Sequence, residues 1–127
     1  MGWNVKILLV EDSEKYLTEM KGILEDQDYE VITATDGLKG LEALKVNTDL
    51  SLIISDLNMP NLDGLSMCEK IRTDNIPSPP IMMVTTEGSL ELKNRGKSVG
   101  VRYWLIKPVP GKMLLSMVEK AIQAQSN

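Results

Sequence analysis

The chain has 127 residues, 43% of them apolar and 25% charged, with a net charge of −4. That is enough for one core and too little for two ordinary domains, so a single domain over residues 1–127 is expected. The composition excludes disorder, no apolar run approaches a membrane span, and the amino end lacks the apolar core and cleavage site of a signal peptide, which implies the cytoplasm. With no His, neither His-based catalysis nor a His metal site can be built, and the acidic balance gives no general drive toward nucleic acid.

Residues 5–10 form a strand candidate rich in branched side chains, ending at Glu11-Asp12-Ser13. Ser13 is a plausible N-cap, and Tyr16, Leu17, Met20, Ile23 and Leu24 follow at helical spacing. Acidic groups at that point also suit the positive end of a helix. Residues 30–34 are a second strand; Asp36-Gly37 breaks it, and Leu38, Leu41 and Leu44 mark a second helix ending near Asn47.

The third strand candidate holds Leu52, Ile53 and Ile54, a run suited to burial on both faces. Asp56 sits where it ends, and Pro60 and Asp63-Gly64 turn the chain off the sheet. Taken alone, such an Asp often only caps a turn. Leu65, Cys68 and Ile71 carry a third helix, in which the lone Cys68 reads as a small buried hydrophobe.

Three prolines precede a fourth strand over residues 81–84, which ends in Thr85-Thr86-Glu87-Gly88. Residues 89–98 should make a weak, basic fourth helix, short or mobile, since Leu90 and Leu92 are accompanied by Gly96, Lys93, Arg95 and Lys97. Residues 102–106 form a fifth strand stopped by Lys107-Pro108. Met113, Leu114, Met117, Val118, Ala121 and Ile122 give a last helix a clean apolar stripe.

Strands and helices that alternate through short connections imply an α/β fold of the flavodoxin-like, doubly wound kind, with five parallel strands in the order 2-1-3-4-5 and five helices. All strands then end on one edge, where Glu11, Asp12, Asp56, Thr85 and Lys107 converge. Clustered carboxylates need a cation, and an oxygen-only donor set selects a hard ion such as Mg²⁺. A carboxylate can also accept a phosphoryl group, while an ammonium and a hydroxyl stabilise the transferring oxygens. These are the roles expected of Asp56, Lys107 and Thr85.

The motifs Leu-Leu-Val-Glu-Asp, Ser-Asp-Leu-Asn-Met-Pro-Asn-Leu-Asp-Gly, Met-Val-Thr-Thr-Glu and Ile-Lys-Pro resemble those of response-regulator receiver domains, closest to the single-domain chemotaxis (CheY-like) type. The resemblance runs from about Val5 to Ala124. It implies that Asp56 is phosphorylated from the phosphohistidine of a sensor histidine kinase. Asp12, Asp56 and the main-chain carbonyl of Asn58 would hold Mg²⁺, with Glu11 acting through water. It further implies a cis peptide at Lys107-Pro108, switching through Thr85 and Trp104, and hydrolysis tuned by Asn58 and Glu87. Trp104 replaces a more usual Tyr or Phe, Thr86 a smaller residue and Val109 a Phe. A strand aromatic at 104 could instead simply pack beside the last helix.

Two other functions compete. A phosphatase using an Asp nucleophile would need a second Asp two residues on, where Asn58 stands. A flavodoxin-like cofactor binder would need a phosphate cradle after the first strand, where Glu11-Asp12 repels phosphate. The family's output face, the fourth helix, fifth strand and fifth helix, carries Lys93, Arg95, Lys97 and Arg102 here, which suits an acidic downstream partner, a chemotaxis or motor component among them. A monomer acting alone, a fragment of a larger regulator and a phosphate sink all fit the sequence.

Overall fold

The structure, a computed structural model, describes residues 5–125. The five strands are β1 (Lys6–Val10), β2 (Glu30–Ala34), β3 (Leu52–Ser55), β4 (Ile81–Thr85) and β5 (Val101–Ile106). They run parallel in the order β2-β1-β3-β4-β5, as expected. The helices are α1 (Glu14–Glu25), α2 (Gly37–Val46), α3 (Gly64–Thr73), α4 (Leu90–Ser98) and α5 (Gly111–Gln125). Side chains of Ser13, Asp36, Asp63 and Ser89 each accept a first-turn backbone N–H, satisfying donors that a helix start leaves unpaired.

Alternation along the central strands sorts the core into two layers. Leu8, Val10, Ile53, Ile81 and Met83 face Leu41, Leu44, Leu65, Met67, Cys68 and Ile71 of α2 and α3. Ile7, Leu9, Ile54, Met82 and Val84 face Met20 and Leu24 of α1 and Leu114, Val118 and Ala121 of α5. None of the described helices is long and apolar enough to cross a membrane.

β5 breaks its alternation. Ile81 pairs with Val101 but Met82 pairs with Tyr103, so Arg102 is an extra residue in the ladder. One inserted residue reverses the facing of everything after it. Val101 and Trp104 therefore share the α2/α3 layer, while Tyr103 and Leu105 pack on the α5 side. This corrects the placement of Trp104 beside the last helix: its ring lies against α4. There Gly96 leaves the room, since a Cβ at that position would sit 2.9 Å from the indole. The glycine that weakens α4 in sequence is the notch that receives the ring.

Two other expected core positions are open to solvent. Leu38 and Met113, each in the first turn of its helix, are 47% and 52% exposed, because the stripe reaches the sheet only from the second turn onward. Cys68 is fully buried, and loss of hydration pushes its thiol up to about 12. The native protein is accordingly expected to be inert to a thiol-specific disulfide reagent at pH 8 and to react stoichiometrically in denaturant; rapid native reaction would show that α3 opens.

Candidate functional site

The sheet ladder continues one residue beyond three strands. The backbone N–H of Glu11 donates to Ala34, that of Asp56 to Val10 and that of Lys107 to Thr85, each at 2.9 Å. These side chains are thereby held on the edge where the strands end. One carboxylate oxygen from each of Glu11, Asp12 and Asp56 lies within 4.8 Å of the others. Exposure is graded across the group, from buried Glu11 through partly buried Asp56 to exposed Asp12, so the cluster opens to solvent on the Asp12 side.

Lys107 is the cation within it. Its Nζ donates to Glu11 Oε1 at 2.6 Å and to Asp56 Oδ2 at 3.3 Å. Burial pushes the Glu11 carboxyl above its ordinary range, against the pull of the Lys107 ammonium and the Ser13 N–H, which donates to Oε2 at 3.1 Å. Burial pulls the Lys107 ammonium down, but the Glu11 hydrogen bond and the Asp56 charge outweigh it, and its pKa is raised. Both Glu11 oxygens are thus engaged by protein donors. The Lys107-Pro108 peptide is cis.

Asp56 Oδ1 accepts the Leu57 N–H at 2.7 Å, which leaves Oδ2 facing Lys107. Behind it, Gly64 opens α3 against the Asp56 carbonyl oxygen, which a Cβ would overlap. The loop between β3 and α3 is also tied to α2. Asp36 Oδ1 accepts the Lys39 N–H at 2.8 Å while Oδ2 accepts from the Asn61 amide at 2.8 Å, and the Gly37 N–H donates to Leu62 at 3.0 Å. Asn61 itself holds φ +68°, a conformation Asn tolerates better than most residues.

The backbone N–H of Lys39 and the Asn61 amide hold the Asp36 carboxyl below its ordinary value. A depressed carboxyl pKa stabilises the fold above the unfolded value, near 3.8, and that contribution disappears as pH falls through the folded value. Asp36→Ala is expected to lower the urea midpoint at pH 7 and to close the gap to wild type as the pH falls through the lowered Asp36 value, measured by urea titration at several pH values.

Glu87 links the remaining residues. Its carboxylate accepts from the Asn58 amide at 3.1 Å, its N–H donates to Thr85 Oγ1 at 3.3 Å, and its carbonyl accepts the Trp104 indole N–H at 2.8 Å. Thr85 is fully buried at the end of β4. The side chain of Asn58 is therefore turned to Glu87, and Trp104 is fixed through the backbone next to Thr85.

Sequence reading missed Tyr16, Asp36, Asn61, Gly64 and Gly96 as parts of the site. Asp36-Gly37 and Asp63-Gly64 carry a signal, an Asp-Gly pair at each of two helix starts, which by itself indicates only a turn. The Tyr16 ring, expected only to fill the core, has its centroid 4.1 Å from Lys107 Nζ.

Residues 7–119 match the response regulator receiver domain family. The chain is 34% identical over 117 residues to the chemotaxis protein CheY1 of Helicobacter pylori, covering 91% of this chain and 94% of that protein. Among solved structures, CheY4 of Vibrio cholerae is 38% identical with a TM-score of 0.83, over 92% of this chain and 98% of that one. A CheY-like receiver domain from Methanospirillum hungatei is 29% identical with a TM-score of 0.89, over 96% of each chain. A shared sheet order, an acidic edge and matches of this extent have one conclusion: the chain belongs to the response regulator receiver domains of two-component signalling.

Proposed function

We propose that this receiver domain stores a signal as an aspartyl phosphate on Asp56, received from the phosphohistidine of a sensor histidine kinase. The observation that carries the reading is the placement of Lys107 Nζ 3.3 Å from Asp56 Oδ2 within a cluster of three carboxylates. Asp56 Oδ2 attacks phosphorus and forms the new P–O bond. The P–N bond breaks, and the leaving imidazole keeps its electron pair and takes a proton from solvent. Lys107 supplies positive charge to the transferring oxygens, and Thr85, whose oxygen already accepts from Glu87, has its own proton to donate to one of them.

The all-oxygen donor set of Glu11, Asp12 and Asp56 fits Mg²⁺, with the Asn58 carbonyl as a further ligand. When bound, the ion would offset carboxylate repulsion and add charge where the phosphoryl oxygens develop it. Glu11, occupied by Lys107 and Ser13, would reach it through water.

Glu87 then connects site to surface. Movement of the Thr85 hydroxyl toward the phosphoryl group alters its bond with the Glu87 N–H, and with it the carbonyl that holds Trp104 against α4. Exposed side chains of α4, β5 and α5 include the basic Arg95, Lys97 and Arg102 and the apolar Leu90, Ile106 and Met113, a composition that suits a partner with acidic and apolar groups. Asn58 and Glu87, hydrogen-bonded to each other at 3.1 Å, would tune hydrolysis of the phosphoryl group.

Acetyl phosphate with Mg²⁺ is expected to add one phosphoryl group by intact mass and to change Trp104 emission. No mass change in properly folded protein would reject the reading, and turnover of a chromogenic phosphate ester would favour a phosphatase.

A further inference from the structure

We propose that Tyr16 is a positioning residue for phosphoryl transfer, its ring face holding the Lys107 ammonium beside Asp56; this rests on Asp56 being the phosphoacceptor. A lysine ammonium has three N–H donors. Here two carboxylates receive it unequally, Glu11 at 2.6 Å and Asp56 at 3.3 Å. Left to those two, a flexible side chain settles toward the buried Glu11 and away from the residue it must assist. The third side is the Tyr16 ring, 4.1 Å from Nζ to the centroid, within the range of cation–π attraction.

An aromatic face has a property that a third carboxylate would lack. It attracts the ammonium without cancelling its charge, so the charge remains for the incoming phosphoryl oxygens. Tyr16 is half-buried, and its ring also displaces water from the ammonium, which strengthens the field acting on Asp56.

The start of α1 sets this geometry. The Ser13 hydroxyl accepts the Tyr16 N–H at 3.4 Å, and the Ser13 N–H donates to Glu11 Oε2 at 3.1 Å. One capping residue therefore fixes both the carboxylate that anchors Lys107 and the ring that faces it.

The test compares phosphorylation rates with saturating acetyl phosphate and Mg²⁺ in wild type, Tyr16→Phe, Tyr16→Leu and a series with increasingly fluorinated phenylalanine at position 16. Thermal melts confirm that each variant is folded. Leu keeps apolar bulk without a π face and should be about tenfold slower, whereas Phe should stay within about twofold of wild type. Fluorination, which drains the ring face at nearly constant shape, should slow the reaction stepwise. Equal rates for Leu and wild type, equal slowing by Leu and Phe, or no response to fluorine would each overturn the role. A wild type that takes up no phosphoryl group rejects the phosphoacceptor reading itself, whereas a labelled wild type with indifferent variants rejects only Tyr16.

Discussion

Asp56→Asn is expected to take up no phosphoryl group from acetyl phosphate and Mg²⁺, while melting within a few degrees of wild type. The amide keeps the size of the carboxylate and can still accept the Leu57 N–H, so the loop from β3 to α3 has no reason to move. It has no anionic oxygen with which to attack phosphorus. Two opposing interactions of Asp56 nearly balance in stability. Two carboxylates within 4.8 Å of each other repel by about 3 kcal/mol or more at an effective dielectric near 20, and the substitution removes that repulsion. It also removes an attraction of similar order to Lys107, 3.3 Å away. Folding and chemistry should therefore separate in this one variant, read by intact mass and thermal melting. Phosphoryl uptake by the Asn variant would move the acceptor to another residue, with Asp12 the first to test.

The parts of the molecule written in the sequence are those that depend on local period and on strand ends. Apolar runs at residues 7–10, 52–54 and 81–84 became the buried strands because nothing but burial on both faces explains them. Once strand order is parallel, Glu11, Asp12, Asp56, Thr85 and Lys107 must gather on one edge. The missed parts depend on what an element meets. Gly96 is unfavourable within α4 and becomes intelligible only when the indole of Trp104 is seen against it. Trp104 faces α4 because of one extra residue in β5, and no periodicity in residues 102–106 reveals a slip against β4. Tyr16 fits an apolar helical stripe as well as it fits a place over an ammonium, and only the fold decides between them. Asp36 reads with Gly37 as a strand breaker, yet one of its oxygens caps α2 and the other holds Asn61 of a different loop.

Lys107→Ala is expected to slow phosphorylation by about a hundredfold or more, the order found when a preorganised charge is removed from a transferring group, and to destabilise the protein as well. The second effect arises at Glu11. It is fully buried, and without Lys107 only the Ser13 N–H remains to it. Removing one member of a buried pair costs about 3 to 5 kcal/mol, and the lower end applies here because Glu11 can relieve itself by taking a proton.

Burial already raises the Glu11 pKa, and loss of the ammonium raises it further. A carboxyl with a raised folded pKa favours the fold at low pH, and that advantage is lost as pH rises through the folded value. The Ala variant should therefore approach wild-type stability in mild acid and fall behind toward neutrality, with part of the loss recovered by added Mg²⁺. Combining Lys107→Ala with Glu11→Gln removes the stranded charge and should restore the urea midpoint near neutral pH, but not the phosphorylation rate. If both returned together, Lys107 would serve only to neutralise Glu11, and its place 3.3 Å from Asp56 would have no part in the chemistry.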